Sequence, residues 1–337
     1  MIRIKFIRKL SRIFKSFYYI LSLRNTLKYQ IDTIRKLPDS PFNTSPENGF
    51  RRGIDYYSEA ELLRILSLTA ALYRKTHGRL PDLVHPTGFN EKILWSKFFA
   101  SIKVPESGNK LLTSRFIPDD IRHLIACPAI HWRSSSPRLP RNHEIKPGFY
   151  YVKATHGSGM YKRVRYPLDD TSLAALEAQC AKWLRKPYGL EKGEWWYNLF
   201  EREIIIDEDV AQSPRSIAYD FFVFRGKVEH IMLHRKGDSR HGEPDEVTRL
   251  DAAFRPLDPS QQSHRPPVKF DPLPEDTMRN MRTCAERIGS GFPFARVDLL
   301  LGKDGKLYLA ELTFSPANGL AKRPVELDTW LGEKWIL

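Results

Sequence analysis

From Ile4 to Leu23 apolar residues recur at helical spacing, at Phe6, Leu10, Ile13, Phe14, Phe17 and Leu21, while Lys5, Arg8, Lys9, Arg12 and Lys15 take the opposite side. The pattern predicts a basic amphipathic helix within an N-terminal segment 1–36. Two readings stay open: a helix lying on anionic lipid with Phe17, Tyr18 and Tyr19 at the interface, and a packed helix whose solvated face is basic. A signal peptide fits poorly, because Phe17 to Leu23 is short and no small-residue cleavage site follows it.

A Pro-, Ser-, Asn- and Gly-rich stretch from Leu37 to Gly53 reads as a linker. A helical region, 54–145, follows. Ser58 and Glu61 have the spacing of a capping box, and Leu62, Leu63, Leu66, Ala70 and Leu72 carry a helix to His77-Gly78. A second helix is expected through Asn90 to Trp95 with Asn90 as its cap, and loop composition returns from Arg133 to His143. In the last region, 146–337, strand and helix signals alternate. Strands are expected at Phe149 to Ala154, Glu203 to Ile206, Ile217 to Phe224 and Val228 to Leu233. Helices are expected at Thr171 to Leu184 and Glu275 to Ile288, the latter capped by Gly289. No repeats occur, and the pattern is α+β with largely antiparallel strands.

At 337 residues the chain can bury a sizeable core. No apolar run approaches the roughly 20 residues that a membrane-spanning helix needs. Cys127, Cys180 and Cys284 are odd in number and lack metal-ligand spacing, so neither a disulfide framework nor a zinc site is expected, and a reducing cytoplasm is the natural compartment. The net charge of +14 points to an anionic partner: an acidic membrane surface, an acidic polymer, a phosphorylated substrate or nucleic acid. No nucleic-acid-reading motif accompanies the charge, which makes nucleic acid the poorest of these.

Chemistry concentrates in three places. Phe294 to Leu301 and Leu307 to Thr313 form a hairpin about Asp304-Gly305. If those two residues are the loop, Asp298 falls opposite Glu311 and Arg296 opposite Thr313, while Val297, Leu299, Leu301, Tyr308, Ala310 and Leu312 form an apolar face. Like charges facing each other ask for a cation, which Mg²⁺ or Arg296 could supply. In the second place, a strand carrying Lys153 runs into His156-Gly157-Ser158-Gly159, a glycine loop whose backbone N–H groups could cradle phosphates, without the spacing of a Walker loop. In the third, the strand Glu203 to Ile206 ends in Asp207 and Glu208, suited to an adenine and ribose hinge or to an ordinary core strand reaching solvent.

This order of features resembles the ATP-grasp fold, and more narrowly the TupA-like ATP-grasp family associated with bacterial surface polysaccharides. Phe89-Asn90-Glu91-Lys92, Lys153 to Gly159, Phe292 to Asp298 and Glu311 to Gly319 carry the resemblance, which spans roughly residues 85 to 335. It implies an ATP-grasp fold behind a helical N-terminal region. It also implies Lys153 and His156 to Gly159 at the phosphates, Asp207 and Glu208 at the hinge, Asp298 and Glu311 on Mg²⁺, and Arg296 stabilising the transferring phosphoryl group. Thr313 stands where many ATP-grasp ligases have an asparagine. The chain departs from the family at Ser114-Arg115, where Asp-Lys is usual, and at Ala218-Tyr219-Asp220, where Asp-Tyr-Lys is usual. Arg115 is then the candidate replacement cation.

The resemblance implies ATP- and Mg²⁺-dependent ligation through an acylphosphate, an amide or ester joining an amino acid to a sugar acid or glycan acceptor. The compartment it implies is cytoplasmic, with the basic N-terminal helix peripheral on the inner face of the plasma membrane. Two other readings stand beside it: a glycosyltransferase holding a metal with Asp207-Glu208-Asp209, and a non-catalytic protein binding anionic glycan or membrane on a decayed scaffold. His123, His131 and His143, the run Arg235, Lys236, Arg240 and His241, and Trp195, Trp196 and Tyr197 are weaker candidates for substrate contact.

Overall fold

The structure, a computed structural model, describes residues 22–104, 106–238 and 242–337. The proposed membrane helix lies outside these residues up to position 21, as do Arg240 and His241. What is described of the N-terminal segment is a helix over 22–35, α1, which buries Leu23, Leu27, Ile31 and Ile34 against Leu62, Leu66 and Tyr73. That stretch is a packed helix. Two short elements follow, the strand β1 (Phe50–Arg51) and the helix α2 (Gly53–Tyr56). The helix α3 (Glu59–His77) starts on the expected capping box, Ser58 N donating to Glu61 Oε2 at 3.0 Å and Glu61 N to Ser58 Oγ at 3.4 Å, and ends on Gly78 at φ 78°.

The next helix, α4 (Phe89–Phe99), begins at Gly88 rather than Asn90. Glu91 closes its first turn by accepting from Gly88 N at 3.3 Å, which frees the Asn90 side chain to donate to Ala321 O at 3.1 Å. Lys92 Nζ donates to Gly332 O at 2.8 Å and Trp335 O at 2.6 Å. The Phe-Asn-Glu-Lys motif therefore fastens the helical region to the C-terminal segment. After α4, β2 (Ile102–Lys103) pairs antiparallel with β1.

Two sheets follow. The first has four antiparallel strands: β4 (Ile130–Ser134), β7 (Ile204–Glu208), β5 (Gly148–Ala154) and β6 (Tyr161–Tyr166), in that order. One face packs Val152, Ala154, Ile204 and Ile206 on Leu173, Leu176, Cys180 and Trp183, the last four from the helix α5 (Asp170–Arg185). The second sheet has the order β10 (Glu246–Leu250), β9 (Lys227–Arg235), β8 (Ile217–Phe224), β11 (Phe294–Leu301), β12 (Leu307–Thr313) and β3 (Ile125–Ala126). Only the last pair, β12 with β3, is parallel. Its core face buries Phe221, Ile231, Val297 and Leu309 against Met281, Cys284 and Ile288 of the helix α6 (Glu275–Gly289). The chain closes with α7 (Val325–Lys334), which packs Leu327 and Leu331 with Phe89.

The α+β expectation with largely antiparallel sheets holds, and β3 and β4 add strands from before residue 146. Gly289 is inside α6, not its cap. A Cβ there would lie 2.5 Å from Val223 Cγ1, so the glycine serves the approach of α6 to β8. No described helix is long and apolar enough to cross a membrane.

Candidate active site

A cleft of about 1240 Å³ separates the two sheets and holds most of the candidate residues. The four-stranded sheet contributes its outward-facing positions. Tyr151 pairs with Asp207 and Lys153 with Ile205 across β5 and β7, and all four line the cleft. Lys153 Nζ lies 2.6 Å from Asp207 Oδ2, while Asp207 Oδ1 is buried without a hydrogen-bond partner. Burial pushes the Asp207 carboxyl up and Lys153 pulls it back. An orphaned carboxylate oxygen at a cleft wall fits a ligand that brings donors, as ribose hydroxyls do.

Gly157, Ser158 and Gly159 also line the cleft, the glycines at φ 80° and 75°. His156 does not. Its ring is fully buried beneath the loop, Nε2 lies 3.2 Å from Lys186 O, and burial pulls its pKa down to about 4. The strand alternation that aims Lys153 outward, continued past Ala154, carries the histidine inward, so it shapes the loop from below.

Arg115 is likewise outside the cleft, exposed and 3.4 Å from Glu106. The cation that segment places in the cleft is Lys110, whose Nζ donates to Gly157 O at 2.5 Å while its backbone N donates to Thr155 O at 3.1 Å. Burial lowers its pKa and Glu311 opposes that. Asn109-Lys110 differs from the sought Asp-Lys pair by one amide, the signal that would have found it.

The six-stranded sheet supplies the carboxylates. Asp298 pairs with Glu311 across β11 and β12, and with Asp220 across β11 and β8, so three acids form one cross-strand row. Arg296 forks onto Asp298, its Nε at 2.6 Å from Oδ1 and Nη2 on Oδ2, and also donates to Thr313 Oγ1 at 3.3 Å. Burial pushes the Asp298 and Asp220 carboxyls up, Asp298 well up, against the pull of Arg296. Burial works against the charge on Arg296 too, but Asp298 and Asp220 outweigh it and raise its pKa.

The expected opposition of Asp298 and Glu311 is present, though the hairpin reaches it differently. Gly302 N donates to Lys306 O, leaving Lys303, Asp304 and Gly305 as the loop, one residue longer than the two-residue turn. The register then slips after Asp298, where β12 carries one extra residue, Ala310, against β11. The two shifts cancel at the carboxylates but not between them. Leu307 and Leu309 join the core face, and Tyr308 and Ala310 leave it.

No group of three or more metal-ligating side chains occurs among the described residues. Asp298 and Glu311 are still the donor set Mg²⁺ uses, since that ion takes one or two carboxylates and completes its shell with phosphate oxygens and water. Each Asp298 oxygen accepts one bond from Arg296 and keeps a lone pair. In Asp207-Glu208-Asp209, Lys153 holds Asp207 and Arg163 holds Asp209, each at 2.6 Å. Glu208 Oε1 accepts from Ala129 N at 3.2 Å, tying the end of β7 to the segment before β4.

The aromatic run Trp195, Trp196 and Tyr197 is buried core. His123, His131 and His143 are exposed, and none lines the cleft. Arg235 is engaged by Glu246 at 2.7 Å, whereas Lys236 does line the cleft.

Loose structural likenesses are found among solved ATP-grasp ligases. D-alanyl-alanine synthetase A from Vibrio cholerae superposes with TM-score 0.39 at 15% identity over 68% of this chain and 61% of that one. An L-amino acid ligase from Bacillus licheniformis gives 0.38 and 14% over 72% and 54%. The ATP-grasp ligase PsnB, complexed with minimal precursor, Mg and ADP, gives 0.38 and 11% over 73% and 66%. The chain thus spans less than two thirds of the length of each. No curated protein matches the sequence. The family described as TupA-like ATPgrasp matches residues 110–336, well over half of the chain. With both sheets and the cleft between them inside that span, the chain belongs to the TupA-like ATP-grasp family.

Proposed function

We propose that the chain is an ATP- and Mg²⁺-dependent ligase that joins a carboxylate to an amine or hydroxyl through an acylphosphate. The observation that carries the reading is the cross-strand pair Asp298–Glu311 beside Arg296, set across one cleft from Lys153, Lys110 and the Gly157 to Gly159 loop. Magnesium bound at the carboxylate pair would neutralise phosphate charge there. Lys153 and Lys110 offer point charges to the phosphates, and the glycine loop offers backbone N–H groups. The hinge after β7, with Asp207 and Glu208, suits the nucleoside end.

A carboxylate oxygen of the donor attacks the γ-phosphorus and ADP departs. The amine or hydroxyl then attacks the carbonyl carbon, phosphate leaves, and the nucleophile gives up its proton. Arg296, fixed by Asp298 and Thr313, is a preorganised cation for the charge that builds at both steps. By the family's association with surface polysaccharides, the substrates are an amino acid and a sugar acid or glycan acceptor. The +14 charge suits an acidic glycan presented at the cytoplasmic face of the membrane, where the basic N-terminal residues would act as a peripheral anchor.

The test is calorimetric titration of Mg·ATP into the wild-type chain and into Asp298→Asn/Glu311→Gln. Saturable binding by the wild type that the double variant loses is expected. Absence of binding by a folded wild type would overturn the proposal and favour the non-catalytic reading, which the replacement of a usual lysine by Asp220 supports.

A further inference from the structure

Past the carboxylate row, the cleft changes sign. Arg249 of β10 pairs with Met232, Met232 with Asp220, and Asp220 with Asp298, so Arg249 continues the same row on the same sheet face. Three strand spacings put it on the order of 14 Å from Asp298. Its neighbours along this wall are His230, Arg265, Lys322 and Arg323. Arg249 is 92% buried, being 8% exposed. Among the described residues its guanidinium makes one hydrogen bond, to Gln261 O at 3.0 Å, and no salt bridge. Arg323 donates to Asn90 Oδ1 and stacks 5.0 Å over Phe89, also without a salt bridge among the described residues.

Buried cations are ordinarily paired, because desolvating an ion without a counter-ion is strongly unfavourable. Here the environment opposes the charges. Burial lowers the pKa of Arg323 to about 10, with Asp328 resisting and Arg249 and Arg296 adding to the drop. Burial, then Arg265, lowers that of Arg249. The scaffold nevertheless fixes them, Arg323 through the Phe89-Asn90 motif and Arg249 within its strand. Guanidiniums held in the wall of a cleft without a salt bridge among the described residues match a ligand oxyanion that arrives with the substrate.

The geometry points to a second anion subsite at Arg249 and Arg323, which takes a carboxylate or phosphate of the acceptor several bonds removed from the reacting atom. This deepens the ligase proposal and rests on it. The enzyme would then select acceptors by a remote charge as well as by the reacting group, and an acceptor lacking it would lose affinity.

The experiment titrates tri-L-glutamate, sn-glycerol 3-phosphate and neutral tri-L-glutamine into the full chain saturated with Mg·ADP. At least one anionic probe is expected to bind and tri-L-glutamine is not, with the tighter of the two anions identifying carboxylate or phosphate as the source. Arg249→Gln should weaken the anion tenfold or more and flatten its salt dependence, while Arg249→Lys loses less. Should Arg249→Gln fail to fold, Lys322→Glu, at an exposed position in the same wall, carries the same expectation. Equal binding of tri-L-glutamine, unchanged affinity in the variants, or no binding of either anion at low ionic strength overturns the subsite. A wild-type chain that does not bind Mg·ADP instead removes the nucleotide reading, and the same titrations without nucleotide still decide the subsite.

Discussion

Asp220 stands directly beside Asp298 across β8 and β11, both carboxylates are buried in the cleft wall, and the Arg296 guanidinium forks onto Asp298. Removing the cation leaves two acids desolvated and unpaired. Arg296→Gln is therefore expected to destabilise the metal-free chain by about 3–5 kcal/mol, and Asp220→Asn, which relieves the repulsion, to raise the unfolding midpoint. Urea unfolding without Mg²⁺ measures both. If Arg296→Gln unfolds at the wild-type urea concentration, the ion cluster is not what holds these strands.

Lys153 and Lys110 both line the cleft near the glycine loop, whereas Arg115 points to solvent beside Glu106. Lys153→Met and Lys110→Met should each weaken Mg·ATP at least tenfold, roughly 1.4 kcal/mol. Arg115→Met should stay within about twofold, since exposed ion pairs contribute little. Equal losses at Arg115 and Lys110, by the same titration, would return the role to the arginine.

The loop glycines separate backbone strain from crowding. Gly157 and Gly159 both have positive φ, but a Cβ on Gly157 would sit 2.5 Å from Tyr188 Cγ and one on Gly159 would meet open space. Gly159→Ala should cost about 1–2 kcal/mol from the left-handed conformation alone. Gly157→Ala should cost more and weaken nucleotide binding, because either the loop or the Tyr188 ring must move. Thermal melts with and without Mg·ATP distinguish the two.

His156 and His230 are buried, with pKa values lowered to about 4 and about 3, chiefly by burial. Unfolded histidine titrates near 6.5, so below that pH the unfolded chain binds protons the folded chain excludes, and stability falls as pH drops from about 6.5 toward 4. Each histidine contributes a slope of up to about 1.4 kcal/mol per pH unit in that window. The buried acids Asp207 and Asp298, whose pKa values are raised, act in the opposite sense. The difference between wild type and His156→Gln isolates one histidine, and unfolding at pH 7.0, 6.0 and 5.0 should show the variant less acid-sensitive.

Local signals were legible in the chain itself. The Ser58–Glu61 cap, the span of β8, and the opposition of Asp298 to Glu311 follow from short-range spacing and alternation, which need no knowledge of distant residues. Even there, the opposition survives because a longer loop and the extra residue at Ala310 cancel, and neither is visible without the neighbouring strands. The inward turn of His156, the cleft position of Lys110 and the burial of Phe89, Asn90 and Glu91 depend on what packs against each segment.

The sequence by itself determined the element types, the glycine loop and the carboxylate hairpin, since propensity, turn chemistry and period two act within a few residues. Tertiary structure alone decided that Asp220, Asp298 and Glu311 share a row with Arg249, because strand order in a sheet is set by burying the opposite face against α6 rather than by adjacency in the chain.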